Sequence, residues 1–239
     1  MAAFLFVFIG KGTAEAQSDW EYLSETPERL IGLLDLPDIV AGGCGPAPKR
    51  ATARAFGAPS QNGRSVGTIY WRDEGDAGCG LMIEKAGGAK EEVPTLESGY
   101  EIDAAIVYER RGPWFRIRLK AGSAWIRRND EKDFLPYPEV LRGNLAYSMQ
   151  SWDGTLRATP GPSGRVTPLS SGWKSLLDRQ LSIQYLGSQR VGNDLWIHIR
   201  LAADGPCDHR YEGVTDVAGW IPAYHTDRSP SAWFASRGC

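Results

Sequence analysis

The sequence predicts a mostly β fold made of two similar small β units, with short helices at the N-terminus and between the units. Two observations support this prediction. Glycine (28 residues), proline (15) and tryptophan (9) are abundant, and many turn-forming and aromatic residues are typical of short strands rather than of a helical bundle. Related motifs with alternating apolar and polar residues also occur twice in the chain, which indicates a duplication.

The charge balance argues against several function classes. The 239 residues include 27 basic and 29 acidic side chains, for a formal net charge of −2. Such a chain does not fit a protein that binds nucleic acid through bulk counterion release, or a polybasic membrane binder. Three histidines leave little material for a metalloenzyme, and we predict neither a metal nor a cofactor. The chain is long enough for one large or two small domains.

Residues 1–16 are predicted to be a signal peptide. Their apolar run, residues 2–10, is too short for a transmembrane helix of roughly 20 residues. It fits the apolar core of a signal peptide, and Ala14-Glu15-Ala16 supplies an A-x-A cleavage site before Gln17. No basic residue precedes the apolar run, and the alternative is an N-terminal strand or a disordered tag. We therefore expect a periplasmic or secreted protein.

The four cysteines, Cys44, Cys79, Cys207 and Cys239, are predicted to form two disulfides. None of them belongs to a C-x-x-C pair, which argues against a zinc ribbon or a thioredoxin-type site. An even count in an exported chain favours disulfides. The preferred pairs are Cys44–Cys79 and Cys207–Cys239, because each closes a loop of roughly 30 residues, worth about 3–4 kcal/mol. Reduced cysteines in a cytoplasmic protein are the alternative.

A first helix is predicted near the N-terminus. Thr26 is a candidate N-cap, and Pro27 occupies the favoured first helical position. An apolar stripe over residues 30–34 follows, and Pro37 ends the helix. Residues 17–49 therefore form an N-terminal helix and a Gly- and Pro-rich linker in this prediction.

Two further short helices are predicted. One begins at Pro138 and carries Val140 and Leu141 on its apolar face, so that residues 131–152 form a helical linker between the β units. The other follows Ser171 and covers about residues 173–180. The remaining segments alternate like strands and are interrupted by turns.

The duplication is based on three pairs of matched segments. Residues 114–119 (WFRIRL) match residues 196–201 (WIHIRL), and the alternation places the aliphatic residues of both segments in a core. The first copy carries an insertion around Cys79, and the second carries one around Cys207. The other two matches pair residues 124–126 (AWI) with 219–221 (GWI), and residues 52–55 (TARA) with 155–158 (TLRA).

These motifs resemble bacterial SH3-like domains, which are small exported barrels with a Trp-containing strand followed by a Gly-Trp-Val/Ile strand. The resemblance predicts one domain at residues 50–130 and a second at residues 153–239, the second with a C-terminal strand. Ala124 stands where the family usually has glycine. The resemblance implies a non-catalytic module, often found beside cell-wall hydrolases and often binding peptidoglycan or peptide.

The outward positions of the two Trp strands are the candidate binding site. Indole rings stack on sugars or peptides, and arginine pairs with carboxylates such as those of peptidoglycan. The alternative is that these side chains pack against the insertions or the partner domain, and Trp125 and Trp220 are predicted to be packing residues. The candidate ligand-binding residues are Trp114, Arg116, Arg118, Trp196, His198 and Arg200.

Two other functions stay open, and a third does not fit the charge balance and the expected export. An envelope hydrolase with its site in the insertions around Cys79 or Cys207 is one alternative, although the chain has no G-x-S-x-G motif. A structural partner in an envelope complex is the second. Binding of single-stranded nucleic acid by the basic stretch at residues 109–130 is the third. The expected partner is peptidoglycan or a periplasmic protein, with no membrane span and no nucleic acid.

Overall fold

Two antiparallel sheets contain most of the residues that the structure describes. In this computed structural model the described residues are 28–40, 52–73, 79–99, 102–149, 152–205 and 210–234. The predicted mostly β class is confirmed. Sheet A contains β1 Gly32–Leu34, β2 Ala53–Phe56, β3 Ser65–Asp73, β4 Cys79–Lys85, β5 Lys90–Glu92, β6 Thr95–Gly99, β7 Ile102–Arg111, β8 Trp114–Arg118, β9 Ser123–Arg127 and β10 Phe134–Pro136.

The second sheet has fewer strands than sheet A, and the helices are short. The described residues also form three four-residue helices, α1 Pro37–Val40, α2 Tyr137–Val140 and α3 Ser171–Lys174, and a 3-10 turn over Glu131–Asp133. No helix in the described part of the chain is long and apolar enough to cross a membrane. Sheet B contains β11 Ala146–Ser148, β12 Leu156–Arg157, β13 Val166–Thr167, β14 Ser182–Val191, β15 Asp194–Leu201, β16 Val217–Pro222 and β17 Ala232–Phe234.

The strand orders of the two sheets match, which supports the predicted duplication. Sheet A runs β10-β1-β7-β8-β9-β2-β3 and continues into β4 and β5, while sheet B runs β17-β11-β14-β15-β16-β12-β13. Each strand of sheet B therefore has one counterpart in sheet A, in the same chain order. We call β1–β10 repeat 1 and β11–β17 repeat 2. Strand pairing among the described residues does not close either sheet into the predicted barrel.

The pairing registers of the two repeats also agree. Phe115 opposes Ile126 in repeat 1, and Ile197 opposes Ile221 in repeat 2, as the matched motifs predict. The long strand before each Trp strand has a β-bulge at the equivalent place, between Val107 and Glu109 in β7 and between Tyr185 and Gly187 in β14. A bulge shared at one position is a feature of related structures rather than a local defect.

The predicted match upstream of the Trp strands is wrong by two residues. The turn after β2 has a backbone bond from Gly57 N to Arg64 O, and the turn after β12 has one from Ala158 N to Arg165 O. These bonds align Ala55 with Leu156, whereas the sequence match aligned Ala55 with Ala158. A shift of two residues keeps every side chain on the same face of a strand, so the predicted inward and outward positions are unaffected.

The predicted helix over residues 26–36 is wrong in its described part, because residues 32–34 form strand β1. β1 lies between β10 and β7 and pairs antiparallel with both. Leu33 and Leu34 are fully buried, and a short run of apolar residues does not distinguish a buried strand from a helix. Gly32 is required there, since a Cβ at this position would lie 2.4 Å from the Leu135 carbonyl oxygen.

The other two helices are confirmed but short. α2 begins near Pro138 as predicted, yet it ends at Val140 and strand β11 follows. α3 begins at Ser171 and ends at Lys174, so it overlaps only the start of the predicted range, residues 173–180. The Ser170 hydroxyl accepts a hydrogen bond from the Trp173 N–H at 3.3 Å and is its N-cap. The predicted linker, residues 131–152, therefore contributes strands β10 and β11 to the two sheets.

The largest buried cluster extends across both repeats. It joins Leu33 and Ile106 of repeat 1 to Trp173, Ile197 and Trp233 of repeat 2. A second cluster lies within repeat 1 and is built on its own strands. The repeats therefore share the largest cluster, and burial of its side chains from water is its main driving force.

Several predictions fall on residues that the structure does not describe. The signal peptide, Cys44, Cys207 and Cys239 lie outside the described ranges, and Cys79 is described only as the first residue of β4. The two disulfides therefore stay predictions. The described strand β17 agrees with the C-terminal strand predicted for the second domain.

Candidate functional site

Strand alternation places the predicted core residues correctly in both Trp strands. Phe115 and Ile117 in β8, and Ile197 and Ile199 in β15, are almost completely buried. The intervening side chains therefore belong to the opposite surface of each sheet. We call these surfaces the outer face of repeat 1 and the outer face of repeat 2. All six predicted ligand-binding residues lie on these two faces.

On the outer face of repeat 1, Trp114 is covered by other aromatic rings. It forms a small buried cluster with Phe56 and Trp125, and its ring meets that of Phe56 edge-on at a centroid distance of 5.4 Å. The Arg111 guanidinium lies over the Trp125 ring at 5.4 Å. Only 8% of Trp114 is exposed, so its ring does not offer a stacking surface, and the packing alternative describes it.

Arg116 is bound by carboxylates of the protein itself. Its Nη1 donates to Glu28 Oε1 at 2.7 Å, its Nη2 donates to Glu28 Oε2, and its Nε donates to Glu109 Oε2 at 3.2 Å. The guanidinium also lies over the Tyr108 ring at 5.7 Å. The hydrogen bond to Arg116 lowers the pKa of Glu28, which keeps that carboxylate charged. Arg116 therefore ties the segment before β1 to the sheet.

Arg118 lies near the same tyrosine. Burial is the main cause that raises the pKa of Tyr108, and the positive charge of Arg118 acts in the opposite direction. Arg118 is partly buried and takes part in interactions of its own. The three candidates of repeat 1 thus lie on one face, but they contact protein groups rather than surrounding an open surface.

On the outer face of repeat 2, His198 and Trp220 form a partly exposed aromatic pair. The two residues oppose each other on β15 and β16, and their rings stack at a centroid distance of 4.8 Å with planes 10° apart. Both side chains are only partly buried. Burial lowers the pKa of His198, so the imidazole is neutral at pH 7 and the pair is an uncharged aromatic surface.

Cationic and apolar side chains surround this aromatic pair. Arg157 opposes Trp220 on the next strand and donates from Nη1 to the Gly164 carbonyl at 2.7 Å. Arg200 lies two residues along β15, with its Nε 3.8 Å from Asp216 Oδ2. We call the set of side chains on this part of sheet B the aromatic row; it consists of His198, Trp220, Arg157, Arg200 and the exposed residues Val166 and Leu186.

Trp196 does not belong to the aromatic row as a stacking platform. Only 5% of it is exposed, and its indole N–H has no hydrogen-bond partner. Trp196 thus resembles its counterpart Trp114 in being covered. The structure places His198 and Arg200 on the same surface. Trp196 is a packing residue there and not the stacking residue that was predicted.

Trp220 and Arg157 are the members of the row that the sequence prediction missed. Trp220 was predicted to be a packing residue, although the alternation already contained the signal. Ile221 is fully buried, and adjacent residues of a strand point to opposite faces, so Trp220 has to face outward. Arg157 was visible as one of the matched residues, but its position beside Trp220 depends on the pairing of β12 with β16.

Comparisons with protein-family models, curated proteins and solved structures found no match to this chain. Within the described ranges, no three His, Cys, Asp or Glu side chains are grouped so that they could hold a metal ion. The cysteine-based hydrolase site falls outside the described part of the chain, because Cys207 and the Cys79 side chain are not described.

Proposed function

We propose that this protein is a non-catalytic binding module that recognises cell-wall material, peptidoglycan in particular, through the aromatic row of repeat 2. The observation that supports the proposal is the partly exposed His198–Trp220 stack with arginines on two sides. A flat aromatic surface suits the apolar face of a sugar ring, and guanidinium groups pair with carboxylates of muramic acid or stem peptides.

The proposal includes the SH3-like family and an extracytoplasmic location. Two small antiparallel repeats with matching strand orders support a tandem of small β modules, which is the arrangement that the sequence resemblance implies. The Trp-strand motif lies in β8 and β15, and the following Trp-Ile motif lies in β9 and β16. Export to the periplasm or beyond, with Cys44–Cys79 and Cys207–Cys239 disulfides, belongs to the same proposal.

A periplasmic protein is the second candidate ligand. Leu186 and Val166 are 43% and 52% exposed at the border of the aromatic row. Apolar side chains around an aromatic and arginine centre are typical of protein–protein contacts. The same surface would then bind a protein chain instead of a glycan, and the experiment below separates the two ligands.

The test is retention of the purified protein on insoluble peptidoglycan. We expect the wild type to be retained and Trp220→Ala to lose about 2 kcal/mol of binding free energy, as a central aromatic residue of an interface does. Arg165→Ala is the matched control, because Arg165 is an exposed cation in the turn after β12 and not a member of the row. Arg118→Ala and Trp196→Ala test the sequence-based site directly.

Two outcomes would contradict the proposal. If the wild type is not retained, peptidoglycan is not the ligand. Equal retention of the wild type and a folded Trp220→Ala variant would remove the aromatic row as the site. Circular dichroism and thermal melting of each variant show whether a loss of retention reflects unfolding.

A further inference from the structure

A cleft of about 220 Å³ lies at the end of sheet A, away from the aromatic row. One wall is the turn between β7 and β8, which includes Gly112 and Pro113, and the other is residues 128–131 after β9. The Arg128 N–H donates to the Pro113 carbonyl at 2.8 Å and joins the two walls. The cleft therefore has a fixed frame and the volume for a group the size of an amino acid.

Arg110 is held rigidly at the cleft. Its guanidinium lies over the Phe115 and Phe134 rings at 5.3 and 5.8 Å, and its Nε donates to the Gly112 carbonyl at 3.1 Å. Aromatic stacking and one backbone bond fix the orientation of the planar guanidinium, which lowers the entropy lost when it binds an anion. Its Nη2 donates to a carboxylate, that of Glu131.

The Glu131 carboxylate is only weakly bound to the Arg110 guanidinium. Its side chain is 81% exposed, against 31% for Arg110. An ion pair with one partner so exposed adds little stability, because water and salt compete for both charges. A carboxylate from a ligand can therefore take the place of Glu131 at Arg110 while Glu131 turns into solvent.

The duplication shows that the fold does not require these arginines. The backbone bond from Arg128 N to Pro113 O has its counterpart in the bond from Ala223 N to Leu195 O, also 2.8 Å long. Register places Ser188 of repeat 2 at the position of Arg110, since Ser188 opposes Ile197 as Arg110 opposes Phe115. The same frame thus carries arginines in repeat 1 and small residues in repeat 2.

We infer that the cleft binds the terminal carboxylate of a peptide, with Arg110 as the anchor and Glu131 as an internal competitor. Arg110, Arg128, Asp130 and Glu131 line the cleft. Arg128 is already paired with Asp133, its Nη2 lying 2.7 Å from Asp133 Oδ2, which leaves Arg110 as the anchor. A singly charged carboxylate replaces Glu131 charge for charge, whereas a doubly charged phosphate adds repulsion. Pro113, which is exposed in the turn, provides apolar contact for a small aliphatic side chain. This inference rests on the proposed binding function and adds to it a second site, in repeat 1, that recognises a carboxylate.

The experiment is an NMR titration of the full chain with N-acetyl-alanine, which carries a free carboxylate. We expect saturable shifts of the Gly112 and Glu131 amide signals. Glu131→Gln removes the competitor and should tighten binding by about threefold, whereas Arg110→Gln should weaken it by about tenfold or more. Arg111→Gln is the matched control, since this neighbouring exposed arginine pairs with Glu109 and does not line the cleft.

Glu131→Gln is expected to raise the affinity, whereas a folding defect would lower it. The expected result therefore cannot be caused by misfolding. The inference is overturned if Glu131→Gln binds no more tightly than the wild type, if Arg110→Gln binds equally well, or if the uncharged methyl ester binds like the acid. Tighter binding of inorganic phosphate than of N-acetyl-alanine also overturns it. Carboxylate binding without retention on peptidoglycan would contradict the proposed ligand alone, and retention without carboxylate binding would contradict this inference alone.

Discussion

One position at which the outer faces of the two repeats differ lies opposite the second tryptophan of each face. Phe56 opposes Trp125 in repeat 1, and Arg157 opposes Trp220 in repeat 2. Phenylalanine completes a buried aromatic cluster, whereas Arg157 bonds a turn carbonyl and leaves Trp220 partly exposed. This exchange between an apolar and a charged side chain is one of the differences that leave the surface around Trp220 partly exposed, while the surface around Trp125 is packed.

The acid sensitivity of the protein can be predicted from His225. Burial lowers the pKa of this imidazole, and its burial outweighs the negative charges of Asp227 and Asp153, which act in the opposite direction. The unfolded chain then binds a proton at a higher pH than the folded one. The contribution of His225 to stability is fully present above the ordinary histidine pKa of about 6.5 and is lost as the pH falls below it.

Urea unfolding at pH 7.5 and 5.5 measures this contribution. We expect the free energy of unfolding of the wild type to fall more between the two pH values than that of His225→Gln, because the other ionisable groups are common to both proteins. Equal changes in the two proteins would show that His225 does not couple protonation to folding.

At the scale of elements, strand β1 is a part of the fold that the sequence did not predict. The Trp strands, their inward residues and their partners β9 and β16 followed from alternation and from the repeat. β1 did not, because its three residues are apolar on both sides and its pairing partners lie far away along the chain. The same applies to β10 and β11. Their residues were predicted to belong to a linker, because only their pairing within the sheets identifies them as strands.

The place of β1 between two strands leads to a prediction for Gly32. In Gly32→Ala the new Cβ would meet the Leu135 carbonyl and the Phe134 ring, so backbone or ring has to move. We expect a loss of roughly 1–3 kcal/mol in the free energy of unfolding, measured by urea denaturation. Gly87→Ala is the control, since nothing lies within 4 Å of its Cβ. Similar stability of both variants would contradict this close packing.

At the scale of the whole molecule, the candidate site was less predictable than the fold. The pattern of Trp and Arg residues indicated two equivalent faces, and composition and alternation are sufficient for that inference. Which face stays open depends on side chains from distant segments, such as Glu28 on Arg116 and Phe56 on Trp114. Tertiary contacts of this kind cannot be predicted from local sequence patterns.

The repeats should unfold together because their cores are joined. The Tyr224 hydroxyl of repeat 2 donates to the Leu30 carbonyl before β1 at 2.6 Å, and burial raises the pKa of Tyr224, which keeps this donor protonated. We expect calorimetry to give one transition for the wild type. Tyr224→Phe should unfold at a lower temperature, with a cost of about 1–3 kcal/mol for the unpaired carbonyl, and still in one step.

Two separate transitions in the wild type would show that the shared cluster does not couple the repeats. A Tyr224→Phe variant as stable as the wild type would mean that the hydrogen bond across the repeats has no net effect. Tyr147→Phe is a suitable comparison, because Tyr147 also lies in a strand of repeat 2 and its ring is only partly buried.

The shared β-bulge has a consequence for how the two copies diverge. The extra residue of the bulge, Tyr108 in β7 and Leu186 in β14, has no partner across the strand pair. Mutation at this position leaves the ladder intact, and the two copies have used that freedom differently: Tyr108 is buried beside Arg116, while Leu186 is exposed beside the aromatic row. One shared position beside each outer face thus holds a core side chain in repeat 1 and an exposed one in repeat 2, so new side chains there should be tolerated in repeat 2 and should disturb packing in repeat 1.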